Sequence, residues 1–375
     1  MSRSIQKGSQ SDTQIRSASD TGRLSYLPLF EVTRGDIIES VHHGAIAVAD
    51  AEGSLIAWHG NAQMVTFLRS SAKPFQALPI NESGAATALG LTPKQIAVMC
   101  ASHSGTNMHA ATVASLQAQA GIEEGDLQCG VHPPLDPETA KRLKEKGLEP
   151  TPNRHNCSGK HSGMLALAHF LGEPIADYLE PTHPVQRRIL ETFAEMCGLT
   201  QGEVHLGIDG CGAPNFAVPL VAAATAFARL ADPSGLRPKL AQACQTVVTA
   251  MVSHPEVVAG EGRFDTHLMQ RAGGRLVSKR GAEGYHGVGA LPGAGGEGSP
   301  ALGIAVKIAD GNHSRRALAP VVLTVLEELG VLPAEERKKL ESFGPQPVLN
   351  HRKMVVGEGR VCFRLKRNGE QAVGR

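Results

Sequence analysis

Gly44-Ala-Ile-Ala-Val-Ala-Asp-Ala-Glu-Gly-Ser-Leu-Ile-Ala-Trp58 carries two short apolar runs on either side of a turn containing Gly53. Runs Ala45–Ala49 and Leu55–Trp58 around such a turn predict a β-hairpin. Strand patterns return only late: Arg275–Lys279, Gly303–Ile308, and the pair Met354–Val356 and Val361–Leu365 around Gly357-Glu-Gly359. Helical patterns fill the middle. Met108–Gln119 is Ala-rich and ends at Gly121, and Val185–Cys197 ends at Gly198. Asp136-Pro137 supplies an N-cap residue and a first-position proline. Pro219–Leu230, Pro238–Val252 and Ser314–Leu329 complete the set, with Pro320 tolerated in the last or kinking it. Strands at both ends and helices between them predict an α+β fold. Its terminal strands share one antiparallel sheet, with a largely helical middle packed on it.

The 375 residues exceed one average domain, yet no internal repeat or linker is legible inside residues 26–366, which read as one domain. Leu291–Pro300 reads as a surface loop. Residues 1–25, rich in Ser, Thr, Gln and Asp, cannot bury enough apolar surface to offset ordering entropy, so a disordered tail is expected. Residues 367–375 are expected to form a flexible tail. With 42 glycines and only 4% aromatics, close backbone approaches and a core of Ala, Val and Leu are expected. Lys plus Arg (37) nearly balance Asp plus Glu (36), which leaves no electrostatic footprint for nucleic acid or an anionic membrane. No apolar run reaches the ~18 residues of a membrane span. The start lacks the apolar stretch of a secretory signal, and seven scattered cysteines form no disulfide framework. A cytoplasmic enzyme is the expectation.

Five segments combine residue types that carry chemistry. In Arg69-Ser-Ser-Ala-Lys-Pro74, Ser70 and Lys73 stand three apart and share a helical face. Pro74 fits only a first turn, which places Ser70 at a helix mouth, where backbone N–H groups point outward. A neutral lysine beside a serine makes a nucleophile. Cys100-Ala-Ser-His-Ser-Gly105 follows an apolar run, and its bland reading is a loop capping its own backbone. Ser278-Lys-Arg-Gly281 ends a predicted strand. Ser-x-x-Lys, Ser-x-Ser and Lys-x-Gly then follow the motif order of penicillin-recognising serine enzymes and serine glutaminases.

The last two segments are Asn156-Cys-Ser-Gly-Lys-His-Ser-Gly163, leading into a helix, and Gly207-Ile-Asp-Gly-Cys-Gly-Ala-Pro-Asn215. A free cysteine is most often a small buried hydrophobe. The polar flanks of Cys157 instead form a helix mouth that lowers a thiol pKa. By residue type alone, Cys157, His161 and Cys211 are the candidate zinc ligands, with a Cys157–Cys211 disulfide the less favoured alternative in a reducing compartment. Packing accounts for Cys100, Cys197, Cys244 and Cys362, and Cys129 receives no role.

Together, Arg69–Gln76, Cys100–Gly105, Asn156–His161 and Gly207–Pro214 resemble the rhizobial-type L-asparaginase family, the asparaginase II-like or class 3 group. The resemblance runs from about Leu27 to Leu365. It implies a serine β-lactamase/glutaminase-like fold and hydrolysis of L-asparagine to L-aspartate and ammonia. It implies two Ser–Lys tandems, Ser70 with Lys73 and Ser102 with Lys279: Ser70 the nucleophile, Lys73 its base, the second pair relaying a proton to ammonia. Zinc is implied on Cys157, Lys160 and Cys211, so lysine replaces the His161 of the type-based reading. Lys160 would then bind as a neutral amine, its proton displaced by the metal's charge. Arg69, His161 and Asp209 are implied as substrate-binding residues, and a homodimer as the assembly. Where the best-studied kind of member has a cysteine near the second tandem, this chain aligns Asp265, an acid able to hold Lys279 protonated. Two alternatives stay open: another serine amidase on this scaffold, such as a glutaminase or β-lactam hydrolase, or a zinc-binding redox protein using Cys157 and Cys211.

Overall fold

The described residues begin with an antiparallel ribbon: β1 (Leu27–Arg34) turns at Gly35 into β2 (Ile37–Ala49), and β2 turns over Asp50–Ser54 into β3 (Leu55–His59). This structure, a computed structural model, describes residues 26–311 and 316–367. The tails expected at 1–25 and 367–375 lie outside the described residues, except that Arg367 ends a short strand. In the β2–β3 turn the Asp50 carboxylate accepts the Ser54 N–H at 2.7 Å.

A small sheet comprises β4 (Val65–Phe67), β5 (His205–Ile208) and β6 (Pro214–Pro219), ordered β4-β6-β5. The remaining strands are β7 (Leu276–Arg280), β8 (Tyr285–Ala290), β9 (Leu302–Ile308), β10 (Pro347–Leu349), β11 (Val355–Val361) and β12 (Lys366–Arg367). They join the N-terminal ribbon in one antiparallel sheet, ordered β10-β11-β1-β2-β9-β8-β7, with β3 on the second half of β2 and β12 on β3. Strands from the two chain ends therefore share a sheet, as the α+β reading requires.

Strand β2 shows why the sheet has two covered faces. Ala45, Ala47 and Ala49 point into one hydrophobic cluster with the Ala-rich helix Leu220–Ala231, and Ile46 and Val48 point into another with the helix Leu318–Glu328. The first face is built for close approach. A Cβ on Gly303 would lie 1.7 Å from Ala224 O, and one on Gly287 would meet the Phe227 ring at 2.0 Å. Helix and sheet backbones come nearer there than side chains permit, which explains the alanines opposite.

Helices Asn107–Ala120, Pro137–Glu145, Pro184–Cys197 and Pro238–Ser253 lie where the sequence places them. Asp136 caps its helix by accepting the Thr139 N–H at 2.8 Å. Pro320 stands in the first turn of its helix, where a missing N–H costs little. One expectation is corrected. Gly357 and Gly359 do not form a turn between two strands; both lie inside the continuous β11, whose hairpin partner is β10. A Cβ at Gly357 would sit 2.0 Å from Thr33 O, and one at Gly359 2.5 Å from the Phe30 ring, so these glycines serve close packing on β1. Among the described residues, no helix is long and apolar enough to cross a membrane.

Candidate active site

Four of the five segments meet where the helical middle abuts the β7 edge of the main sheet. Arg69–Ala72 forms a 3-10 turn, followed by the helix Lys73–Gln76, in which Pro74 takes the second position. The turn is tied to β6 by Leu68 N–H donating to Phe216 O at 3.0 Å. Arg69 has φ +52°, a strained value for a residue with a side chain. Its guanidinium holds Asp209 through Nε at 3.0 Å and Nη2 at 2.8 Å, both to Oδ1. Burial alone would raise the Asp209 carboxyl, but Lys160, Arg69 and the Gly210 N–H bring it below the usual range.

Ser70, Ser102, Lys279 and Asp265 line one cavity of ≈ 600 Å³, together with Asn156, Arg263, Phe264 and Arg280. Beneath it, Lys73 Nζ donates to Ala101 O at 2.7 Å, Ser102 Oγ at 3.0 Å and Asn156 O at 3.1 Å. Lys279 Nζ lies 3.0 Å from the same Ser102 Oγ and 2.8 Å from Arg280 O. The lysine three residues after Ser70 thus contacts the second serine, and both lysines converge on Ser102. Burial lowers the Lys279 amine to about 7, with Lys73 adding to the shift and Asp265 opposing it.

Ser71, which sequence reasoning passed over, joins the two halves: its hydroxyl donates to Lys279 O at 2.6 Å. Gly281 makes this contact possible, since a Cβ there would lie 2.4 Å from Leu68 O and 3.2 Å from Ser71 Oγ. The glycine of the Lys-x-Gly motif thus serves packing, not flexibility.

Asn156 caps the cavity, and Cys157 opens the helix Ser158–Leu171. That helix is seated on the helix Pro93–Met99 through Gly159, whose Cβ would be 2.1 Å from Val98 O. Lys160 Nζ donates to Cys211 Sγ at 3.0 Å. The Cys211 thiol in turn holds Cys157 well below the usual thiol range, while Cys211 itself is raised. Burial disfavours the Lys160 ammonium, but the two sulfurs hold it above its ordinary value. His161 belongs to this cluster too: its imidazole interacts with the Cys211 thiol, and its Nδ1 lies 2.6 Å from the buried Tyr178 hydroxyl. Burial lowers its imidazole to about 4. Cys129, also unassigned from sequence, is buried nearby, its thiol pushed up to about 12 by burial and by Cys157 and Cys211.

Among the described residues, no three His, Cys, Asp or Glu side chains converge on a metal position. Two thiols and an amine do converge, however, and soft sulfur with nitrogen is a donor set that suits zinc.

Two hydroxyls and two buried amines thus gather at one cavity, Lys73 beneath it and Lys279 in its wall. The chain belongs to the L-asparaginase II family, whose model matches residues 30–361, and is thereby an amidohydrolase acting on a small-molecule amide. No curated protein sequence matches it. Among solved structures it is similar to Mglu, with 15% identity over 76% of this chain and 67% of that one at a TM-score of 0.37. The glutamate form of Mglu gives 15% identity over 77% and 62% at 0.39. The Bacillus subtilis glutaminase YbgJ, in covalent complex with 5-oxo-L-norleucine, gives 12% identity over 70% and 79% at 0.28. The chain spans about two thirds of Mglu, and the family match alone carries the class of reaction.

Proposed function

We propose that the protein hydrolyses L-asparagine to L-aspartate and ammonia with Ser70 as nucleophile. The observation that supports this best is the cavity shared by Ser70, Ser102 and Lys279, with Lys73 directly beneath Ser102. Ser70 Oγ attacks the side-chain amide carbon, and backbone N–H groups of the turn that opens at Arg69 would hold the developing oxyanion. Lys73 takes the hydroxyl proton, turning from Ser102 towards Ser70. The C–N bond breaks as Ser102 and Lys279 return a proton to the nitrogen, which leaves as ammonia. Water then cleaves the Ser70 ester and releases aspartate. In this reading Arg69 and Asp209, paired beside the cavity, would hold the amino-acid end of the substrate, Asp209 through its α-ammonium, and His161, fully buried, would support them from within.

Cys157, Lys160 and Cys211 would hold zinc, which would supply a fixed positive charge orienting the substrate. Lys160 must first give up the proton it shares with Cys211. A homodimer in the cytoplasm completes this reading.

A second assignment draws on one observation: both amines lie on Ser102, which makes it the more strongly activated hydroxyl. Ammonia release from asparagine, glutamine and a chromogenic β-lactam, with and without zinc, tests the substrate. Ser70→Ala should lower turnover by at least ~10³-fold while keeping the fold. Mass-spectrometric mapping of the acyl group to the peptide carrying Ser102 would replace Ser70 as nucleophile.

A further inference from the structure

Behind Lys279 lies a buried polar cluster that the proposed reaction does not use. Asp265 is the second residue of the helix Phe264–Arg271, where the N-terminal dipole favours an anion. Its Oδ1 accepts the Ser278 hydroxyl at 2.7 Å and lies 3.1 Å from His286 Nε2. His286 Nε2 is also 2.8 Å from Ser278 Oγ, so one imidazole N–H is shared between the serine and the carboxylate. His286 Nδ1 is buried without a partner among the described residues, which agrees with the proton residing on Nε2. Asp265 Oδ2 accepts the Arg280 N–H at 3.0 Å.

That last bond gives the cluster its purpose. The peptide joining Lys279 to Arg280 is gripped on both sides: its N–H by Asp265 and its C=O by Ser71, the neighbour of Ser70. The next carbonyl, Arg280 O, accepts Lys279 Nζ at 2.8 Å. Backbone and amine of Lys279 are therefore fixed together. His286 lies opposite Arg280 in the β7–β8 ladder, so one cross-strand pair carries both the gripped peptide and the histidine. Ser278 and His286 do not line the cavity, so they reach it only through Asp265 and Lys279, which do.

We propose that Asp265, supported by His286 and Ser278, is a positioning residue that fixes the Lys279 amine against Ser102. The inference rests on the amide-hydrolysis reading and deepens it. The groups facing Lys279 are Asp265 on its helix, Lys73 below Ser102, Cys100 and Cys157 at their helix ends, and its strand neighbour Arg280. Asp265 is the carboxylate among them. Burial and Lys73 push the amine down, and Asp265 opposes them. Without that charge the amine would titrate lower still.

The experiment compares wild type with Asp265→Asn, His286→Leu and His286→Gln, reading kcat, KM and the pH profile of kcat/KM. Thermal melting confirms folding in each. Asp265→Asn should lower kcat at least ~10-fold with KM nearly unchanged, and move the Lys279 limb about one pH unit or more to lower pH. His286→Leu should lower kcat, and His286→Gln, whose amide can donate to Asp265, should restore most of it. A folded Asp265→Asn with the wild-type limb overturns the proposal, as does equal kcat in the two His286 variants. If wild type releases ammonia from no amide, the hydrolase reading fails separately. Titration of the Lys279 side chain by NMR then decides: a lower midpoint in Asp265→Asn upholds the inference, and an unchanged one ends it.

Discussion

Ser102 Oγ has one proton to give, yet two amines lie 3.0 Å from it. It can donate to only one of them, and the other must donate to Ser102. Lys73, once it has taken the Ser70 proton, faces two carbonyls, which only accept, and suits the donor's place. Lys279, lowered to about 7, suits the acceptor's. In the proposed reaction the pair would then form a relay, Lys73 to Ser102 to Lys279, that works once Lys279 is neutral. Below pH 7 Lys279 is protonated and the relay is blocked; above it the relay opens. We expect kcat/KM for asparagine to rise through about pH 7 to a plateau, measured across neutral pH in a constant-ionic-strength buffer. A flat profile there would count against Lys279 as the acceptor. Ser102→Ala removes the bridge and should cost ~10²-fold in kcat without lowering the melting temperature. The residue types were legible in the sequence because Ser-x-x-Lys and Ser-x-Ser are local patterns. The cross-pairing of Lys73 with Ser102 was not, since 29 residues separate them and only the fold brings them together. His286 was invisible for the same reason: its role depends on strand register.

Among the elements, glycine decides where helix and sheet touch. Gly303→Ala would drive a methyl group into Ala224 O, 1.7 Å from the ideal Cβ, with backbone on both sides and no flexible end to yield. We expect a loss of ~2–4 kcal/mol in denaturant unfolding, the upper range for overpacked cores. Gly125→Ala, with nothing within 4 Å of its added carbon, should change stability by less than ~0.5 kcal/mol. Equal effects would mean that the β9 contact relaxes freely. The same glycines explain which elements the sequence showed. The β2–β3 hairpin and the capped helices were legible from apolar runs and turn residues. Strand β8, Tyr285-His-Gly-Val-Gly-Ala290, was not, because glycines selected for contact with Phe227 erase its alternation. Gly357 and Gly359 misled in the opposite direction, reading as a turn where the chain runs straight. A glycine selected for closeness and one selected for turning are the same letter.

Across the whole molecule, the candidate metal ligands join segments that are distant in sequence. Cys157 and Lys160 open one helix, Cys211 lies in the turn before β6, and both cysteines belong to the hydrophobic cluster on the helical side of the sheet. A zinc ion bound there would link these segments in the folded chain alone, so binding free energy becomes folding free energy. At a hundred times the dissociation constant that linkage is worth about 2.7 kcal/mol, and the melting temperature should rise by several degrees when zinc is added to the purified full chain. Cys211→Ser should abolish most of the rise. Lys160→Arg is the sharper variant. A guanidinium keeps the charge and can still donate to Cys211, but it does not lose its proton and cannot become a ligand. We therefore expect Lys160→Arg to fold, to melt near the wild type without metal, and to show no zinc-induced rise. An unchanged rise in Lys160→Arg would remove the lysine from the ligand set and leave the two thiols to find their remaining donors elsewhere, with His161, whose imidazole interacts with Cys211, as the candidate.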